Sequence, residues 1–124
     1  MLVFVGLSVF RGMRDVRIVL FDYDDTLVDV SEAREFARRV VASRISSLTG
    51  IDEPAVLNAI RGVESHMESL GLFDRRVWFG RVAVELGVKL GIDLINELVK
   101  IYWDSLSSRS RLFPETLPVL RQLR

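Results

Sequence analysis

Asp22, Asp24, Asp25 and Thr26 follow directly on the apolar run Val16-Arg17-Ile18-Val19-Leu20-Phe21, and they concentrate more chemistry than any other stretch of the chain. A spacing of two along extended backbone sends Asp22 and Asp24 to the same side, with Tyr23 facing away. Two carboxylates so placed can divide labour. Asp22 can attack an electrophile as an anionic nucleophile, forming an aspartyl-phosphate, while Asp24 protonates the leaving oxygen and then activates water. The same pair attracts a hard, oxygen-seeking cation, and Mg²⁺ held by one or two carboxylates plus substrate phosphate suits that donor set. Asp25 and Thr26 read as turn residues, whose side chains satisfy local backbone donors. The competing reading of the whole cluster is a solvated turn rich in Asp and Thr. A calcium loop counted from Asp22 is excluded, because its sixth position is Leu27 instead of Gly and its twelfth is Ala33 instead of Glu.

Such a site needs elements to hold it. Val16 to Phe21 is β-branched and bulky without alternation, the pattern of a strand covered on both faces in a parallel sheet. Ligands of open α/β sheets collect beyond the carboxyl ends of their strands, which is where the three aspartates would project. From Ser31 to about Leu48, the residues Phe36, Val40, Val41, Ile45 and Leu48 recur at helical spacing, with Asp29 or Ser31 as cap and Gly50 as stop. A second helix starts at Asp52-Glu53-Pro54 and carries Val56, Leu57, Ile60 and Val63. Asp74 caps a third with Val77, Trp78, Val82 and Leu86, ending near Gly87. Asp93 caps a fourth with Ile95, Leu98, Val99, Tyr102, Trp103 and Leu106 on one wide face. Four helices joined by short loops imply a bundle, and Trp78, Tyr102 and Trp103 read as its core. Arg75 and Arg76 read as a solvated face, the alternative being contact with a substrate phosphate. After Ser107-Ser108-Arg109-Ser110, the run Leu112-Phe113-Pro114-Glu115-Thr116-Leu117-Pro118 leads into a last helix to Arg124.

Composition removes several classes of function. The chain of 124 residues is 49% hydrophobic, enough for one core. Seventeen basic residues balance seventeen acidic ones and the signs interleave, so no field draws the chain to nucleic acid or anionic lipid. With no cysteine and the single His66, disulfides, a thiol nucleophile and a Cys- or His-rich metal site are excluded. Residues 2–10 are apolar but lack a basic segment before them and are too short for a bilayer span, so they read as a strand or an extension. Met13 is an alternative start. The expected compartment is the cytoplasm.

The run from Ile18 to Asp29, an apolar strand followed by Asp-x-Asp-x-Thr, resembles the first signature of the haloacid dehalogenase (HAD) superfamily. The resemblance implies Asp22 as nucleophile and Mg²⁺ ligand, Asp24 as acid/base with its backbone carbonyl a second ligand, and Thr26 as a residue that fixes the loop. An aspartate two places after the nucleophile is the phosphatase-like version. The helices lie where the family inserts a helical cap, and the stretch from Leu112 to Leu123 is similar to its return to the core. The implied fold class is α/β: a Rossmann-type core, of which only the first strand and catalytic loop are expected here, carrying an inserted helical bundle, so that the chain is mostly helical by content. The implied divisions are 1–14 as an extension, 15–29 as strand and catalytic loop, 30–111 as cap, and 112–124 as the return.

The family's phosphate-binding Ser or Thr, its Lys and its further acidic ligands have no counterpart in the 124 residues: Lys89 and Lys100 fall in the cap, and Glu115 is the one acid after Asp104. Electrostatic groups of that kind are worth orders of magnitude in rate. The chain is therefore expected to be a truncated form with little phosphatase activity alone, its family substrate being a small phosphorylated metabolite. The alternative expectation is a non-catalytic fragment or helical interaction module, self-associating through an open strand edge.

Overall fold

The computed structural model describes residues 16–124, and helices make up most of them. The chain runs β1 (Val28–Asp29), α1 (Ser31–Thr49), α2 (Glu53–Ser69), α3 (Arg75–Leu86), α4 (Ile92–Arg109), β2 (Arg111–Leu112) and α5 (Thr116–Gln122). Local signals set most of these boundaries. Asp29 accepts from the Ser31 amide at 3.1 Å and the Ser31 hydroxyl at 2.7 Å, tying down the start of α1. Gly50 ends it at φ 74°, a left-handed conformation that costs glycine nothing. The Asp74 carboxylate caps α3 by accepting from the Arg76 amide at 2.9 Å. Asp93 falls instead in the first turn of α4, where its charge suits the helix dipole, and Gly91 holds the cap position.

From α1 to α4 each helix packs on the next, and α4 closes the ring against α1. Ala33, Ala37, Val41 and Ile45 recur every four residues along α1 and are fully buried, so small side chains let the helix axes approach closely. Leu98, Tyr102 and Leu106 supply the matching stripe from α4. Phe79 and Tyr102 meet edge to face, with centroids 6.0 Å apart. Inside this core one polar pair is fully engaged: Arg38 donates to both Glu64 oxygens, at 2.7 and 2.8 Å. Burial alone would oppose a charged Arg38, but the Glu64 hydrogen bonds outweigh it and raise its pKa further.

Three expectations need correction. Val16 to Phe21 forms no strand, and Ile18 and Leu20 are 75% and 89% exposed. A strand exists only through its ladder of hydrogen bonds, and among the described residues none pairs with this segment. Those residues accordingly form no parallel sheet; their one sheet is antiparallel, with Val28 opposite Leu112 and Asp29 opposite Arg111. Trp103 is 43% exposed, because it lies one position round the helix from the buried stripe. Arg75 is buried, stacked on Trp78 with its Cζ 3.5 Å from the ring centroid. The readings placed on residues 2–10 and Met13 lie outside the described residues. No helix among the described residues is long and apolar enough to cross a membrane.

Candidate active site

The loop carrying the aspartates is built on a single carbonyl. The Tyr23 oxygen accepts from the amides of Thr26, Leu27 and Val28 at 3.3, 3.0 and 3.1 Å, and the Asp25 amide donates to the Val28 oxygen at 2.7 Å. Asp25 takes φ 59°, the left-handed conformation that Asp tolerates better than most residues. Its carboxylate accepts from the Val30 amide at 3.5 Å, a long contact. Asp25 is thus a turn residue, as its type implies.

The return of the chain clasps this loop from the other side. The Thr116 hydroxyl donates to the Leu27 oxygen at 2.7 Å, and the Phe113 amide donates to the same oxygen at 3.2 Å. Together with the β1–β2 pairing, these bonds join the points where the chain enters and leaves the helical bundle. Thr116 is buried to 1% exposure. Nothing in the sequence marks it, since a threonine opening a short helix usually serves the helix alone.

Within the loop, the Thr26 hydroxyl donates to Asp22 Oδ2 at 3.4 Å. Asp24 lies 3.9 Å from Arg34 on the first turn of α1, an exposed and weak ion pair. Asp24 sits opposite Val28 in an isolated bridge, and the turn itself covers Asp25 to Leu27, after both carboxylates. Tyr23 and Asp24 line a cleft of ≈ 440 Å³ together with Val28, Trp103, Leu106 and Ser107. Asp22 is exposed beside the loop and is not among the residues that line it. The structure therefore brings Asp22 to Thr26 and Asp24 to the edge of the cleft.

The chain matches no family model, no curated protein and no solved structure. The chemistry of the site rests on its own residues.

Among the described residues, no group of three or more His, Asp or Glu side chains is placed to hold a metal ion. Asp22 and Asp24 do offer hard oxygen donors of the type Mg²⁺ takes, and Mg²⁺ commonly uses only one or two protein carboxylates. The donor type therefore suits a hard cation such as Mg²⁺. Asp29, further along the chain, has its pKa lowered by the Ser31 side-chain and backbone hydrogen bonds, so it stays an anion that anchors α1.

Proposed function

We propose that the loop from Asp22 to Thr26 is the nucleophile loop of a Mg²⁺-dependent, HAD-type phosphohydrolase acting on a small phosphorylated metabolite, with the helical bundle as its cap. The observation that supports this most is the Thr26 hydroxyl resting against the Asp22 carboxylate, at 3.4 Å, in a loop whose backbone is fixed from both sides. A solvated turn has no need of the clasp from Thr116 and Phe113.

In this reading Asp22 attacks phosphorus and the P–O bond to the leaving group breaks. Asp24 gives its proton to the leaving oxygen, then takes one from the water that cleaves the aspartyl-phosphate. Asp22 and the Asp24 backbone carbonyl would hold Mg²⁺, which supplies charge neutralisation for the phosphoryl oxygens when bound. Asp25 sets the turn and Thr26 holds Asp22 in place. The Rossmann-type core and a cytoplasmic location belong to the same reading. The test is p-nitrophenyl phosphate turnover with Mg²⁺, measured for the complete natural product and its Asp22→Asn variant. Turnover should vanish in Asp22→Asn and return when the aspartate is restored; equal rates in the two proteins would remove Asp22 from the mechanism.

A second reading, a helical interaction module that self-associates, is favoured by the exposed apolar side chains of Ile18, Val19 and Leu20, on backbone that pairs with no other described residue. Sedimentation separates the two, since a monomer at all concentrations with cooperative melting argues against an open edge.

A further inference from the structure

Arg75 combines burial with the lack of a counter-ion. Its residue is 8% exposed, and no carboxylate of the described residues lies within ion-pair distance of it. Its guanidinium is packed among three aromatic rings, with Cζ 3.5 Å from the Trp78 centroid, 5.0 Å from Tyr102 and 5.2 Å from Trp103. Stacking of this kind offsets part of the charge through the ring faces. It leaves the in-plane N–H donors to find acceptors elsewhere, because those point along the edge of the guanidinium, away from the rings. Nη1 donates to the Phe73 oxygen at 3.0 Å, whereas the buried Nε has no acceptor among the described residues.

Tyr102 repeats the pattern on α4. It is 1% exposed, and its hydroxyl is buried without a partner among the described residues. Two buried donors on adjoining side chains lack the same thing, an acceptor. The opposing charge nearby, Glu64, is already engaged with both oxygens on Arg38.

Trp103 borders both this pair and the cleft. Its ring sits edge to face against Tyr102 at 5.3 Å, lies 5.2 Å from the Arg75 guanidinium, and also lines the ≈ 440 Å³ cleft that holds Asp24. Trp103 itself is 43% exposed.

From this juxtaposition we infer that Arg75 and Tyr102 form an oxyanion-binding site inside the helical bundle, taking the phosphate or carboxylate group of a small molecule lodged against Trp103. The inference does not depend on Asp22 performing chemistry. A purely structural role, in which Arg75 staples α3 to α4 through its rings, makes a different set of predictions.

The two tryptophans of the chain, Trp78 and Trp103, both flank Arg75, so intrinsic fluorescence reports the site directly. Inorganic phosphate and succinate are titrated separately into the protein at constant ionic strength, with thermal melting followed in parallel. Saturable change in emission and a melting temperature that rises with the anion are expected for at least one probe, and the probe that acts identifies phosphate or carboxylate as the group taken. Arg75→Met keeps the packing of the stem and should weaken binding by at least about tenfold, as for loss of a charge-assisted hydrogen bond. Tyr102→Phe should weaken it several-fold with the bundle intact, and serves alone if Arg75→Met does not fold. The absence of saturation with both probes in the wild-type protein overturns the site. So does an unchanged affinity in folded Arg75→Met, or in Tyr102→Phe where that variant stands alone.

Discussion

Thr116 and Leu27 are joined by a 2.7 Å hydrogen bond across 89 residues of sequence, from the side-chain hydroxyl to the backbone oxygen. That bond ties the start of α5 to the loop bearing the aspartates, so the two ends of the helical bundle are held by the same small clasp. Thr116→Val keeps the shape and removes the donor. Leu27 still accepts from Phe113, so the cost should be about 1 kcal/mol, the net worth of one hydrogen bond. Faster amide exchange at Phe113 and Val28, with the helices unchanged, is the expected signature.

Asp25 is held by conformation. Its φ of 59° is open to Gly and tolerable for Asn, but costs a β-branched residue roughly 1–2 kcal/mol. Asp25→Gly should therefore leave melting nearly unchanged, whereas Asp25→Val should lower it. Paired melting curves check this, and any catalytic loss in Asp25→Val should follow the loop distortion.

The Arg38–Glu64 pair is the buried ion pair most open to dissection. Glu64→Leu leaves the part-buried guanidinium with Glu35 alone, at 3.2 Å, and should cost about 3 kcal/mol, the lower end for broken buried pairs because Arg38 keeps that partner and some solvent contact. Arg38→Met in the same background should recover most of that loss. A double-mutant cycle by urea unfolding measures the coupling.

Acid should loosen the α1–α2 contact. Burial pushes the Glu35 carboxyl up, but hydrogen bonds from Arg61, Arg38 and Arg39 outweigh it, and the net shift is downward. A depressed carboxylate contributes stability above its unfolded value and loses it as pH falls through the folded one. Melting temperature should thus drop on acidification below about pH 4.3, the ordinary range for glutamate. Asp74, lowered by its hydrogen bonds from Arg76, acts in the same direction. Glu35→Gln should flatten this acid limb, and a pH series of melting curves is the check.

The bundle was legible in the sequence because its signals are local. Apolar spacing in α1 and α2, the Asp74 cap and the Gly50 and Gly87 stops all act within a few residues of themselves. What escaped depends on partners far away in sequence. Val16 to Phe21 has the composition of a covered strand, yet strand formation is decided by neighbours that the segment does not contain. Thr116 finds its acceptor across the whole bundle. Arg75 looked like a solvated cation because two of the rings beside it, Tyr102 and Trp103, come from α4 and only folding brings them there. In the candidate site, the residue types were legible, but the hydrogen bonds from Thr116 and Phe113 that fix the loop were not.

If Asp22 accepts a phosphoryl group and Asp24 helps to remove it, the covalent intermediate itself can be caught. Incubation with acetyl phosphate and Mg²⁺, followed by mass mapping of the peptide that spans Phe21 to Arg34, tests this directly. One phosphoryl group is expected on Asp22, absent from Asp22→Asn and accumulating in Asp24→Asn, where no base activates water. Equal labelling of Asp22→Asn, or none in both the wild-type protein and Asp24→Asn, would contradict it.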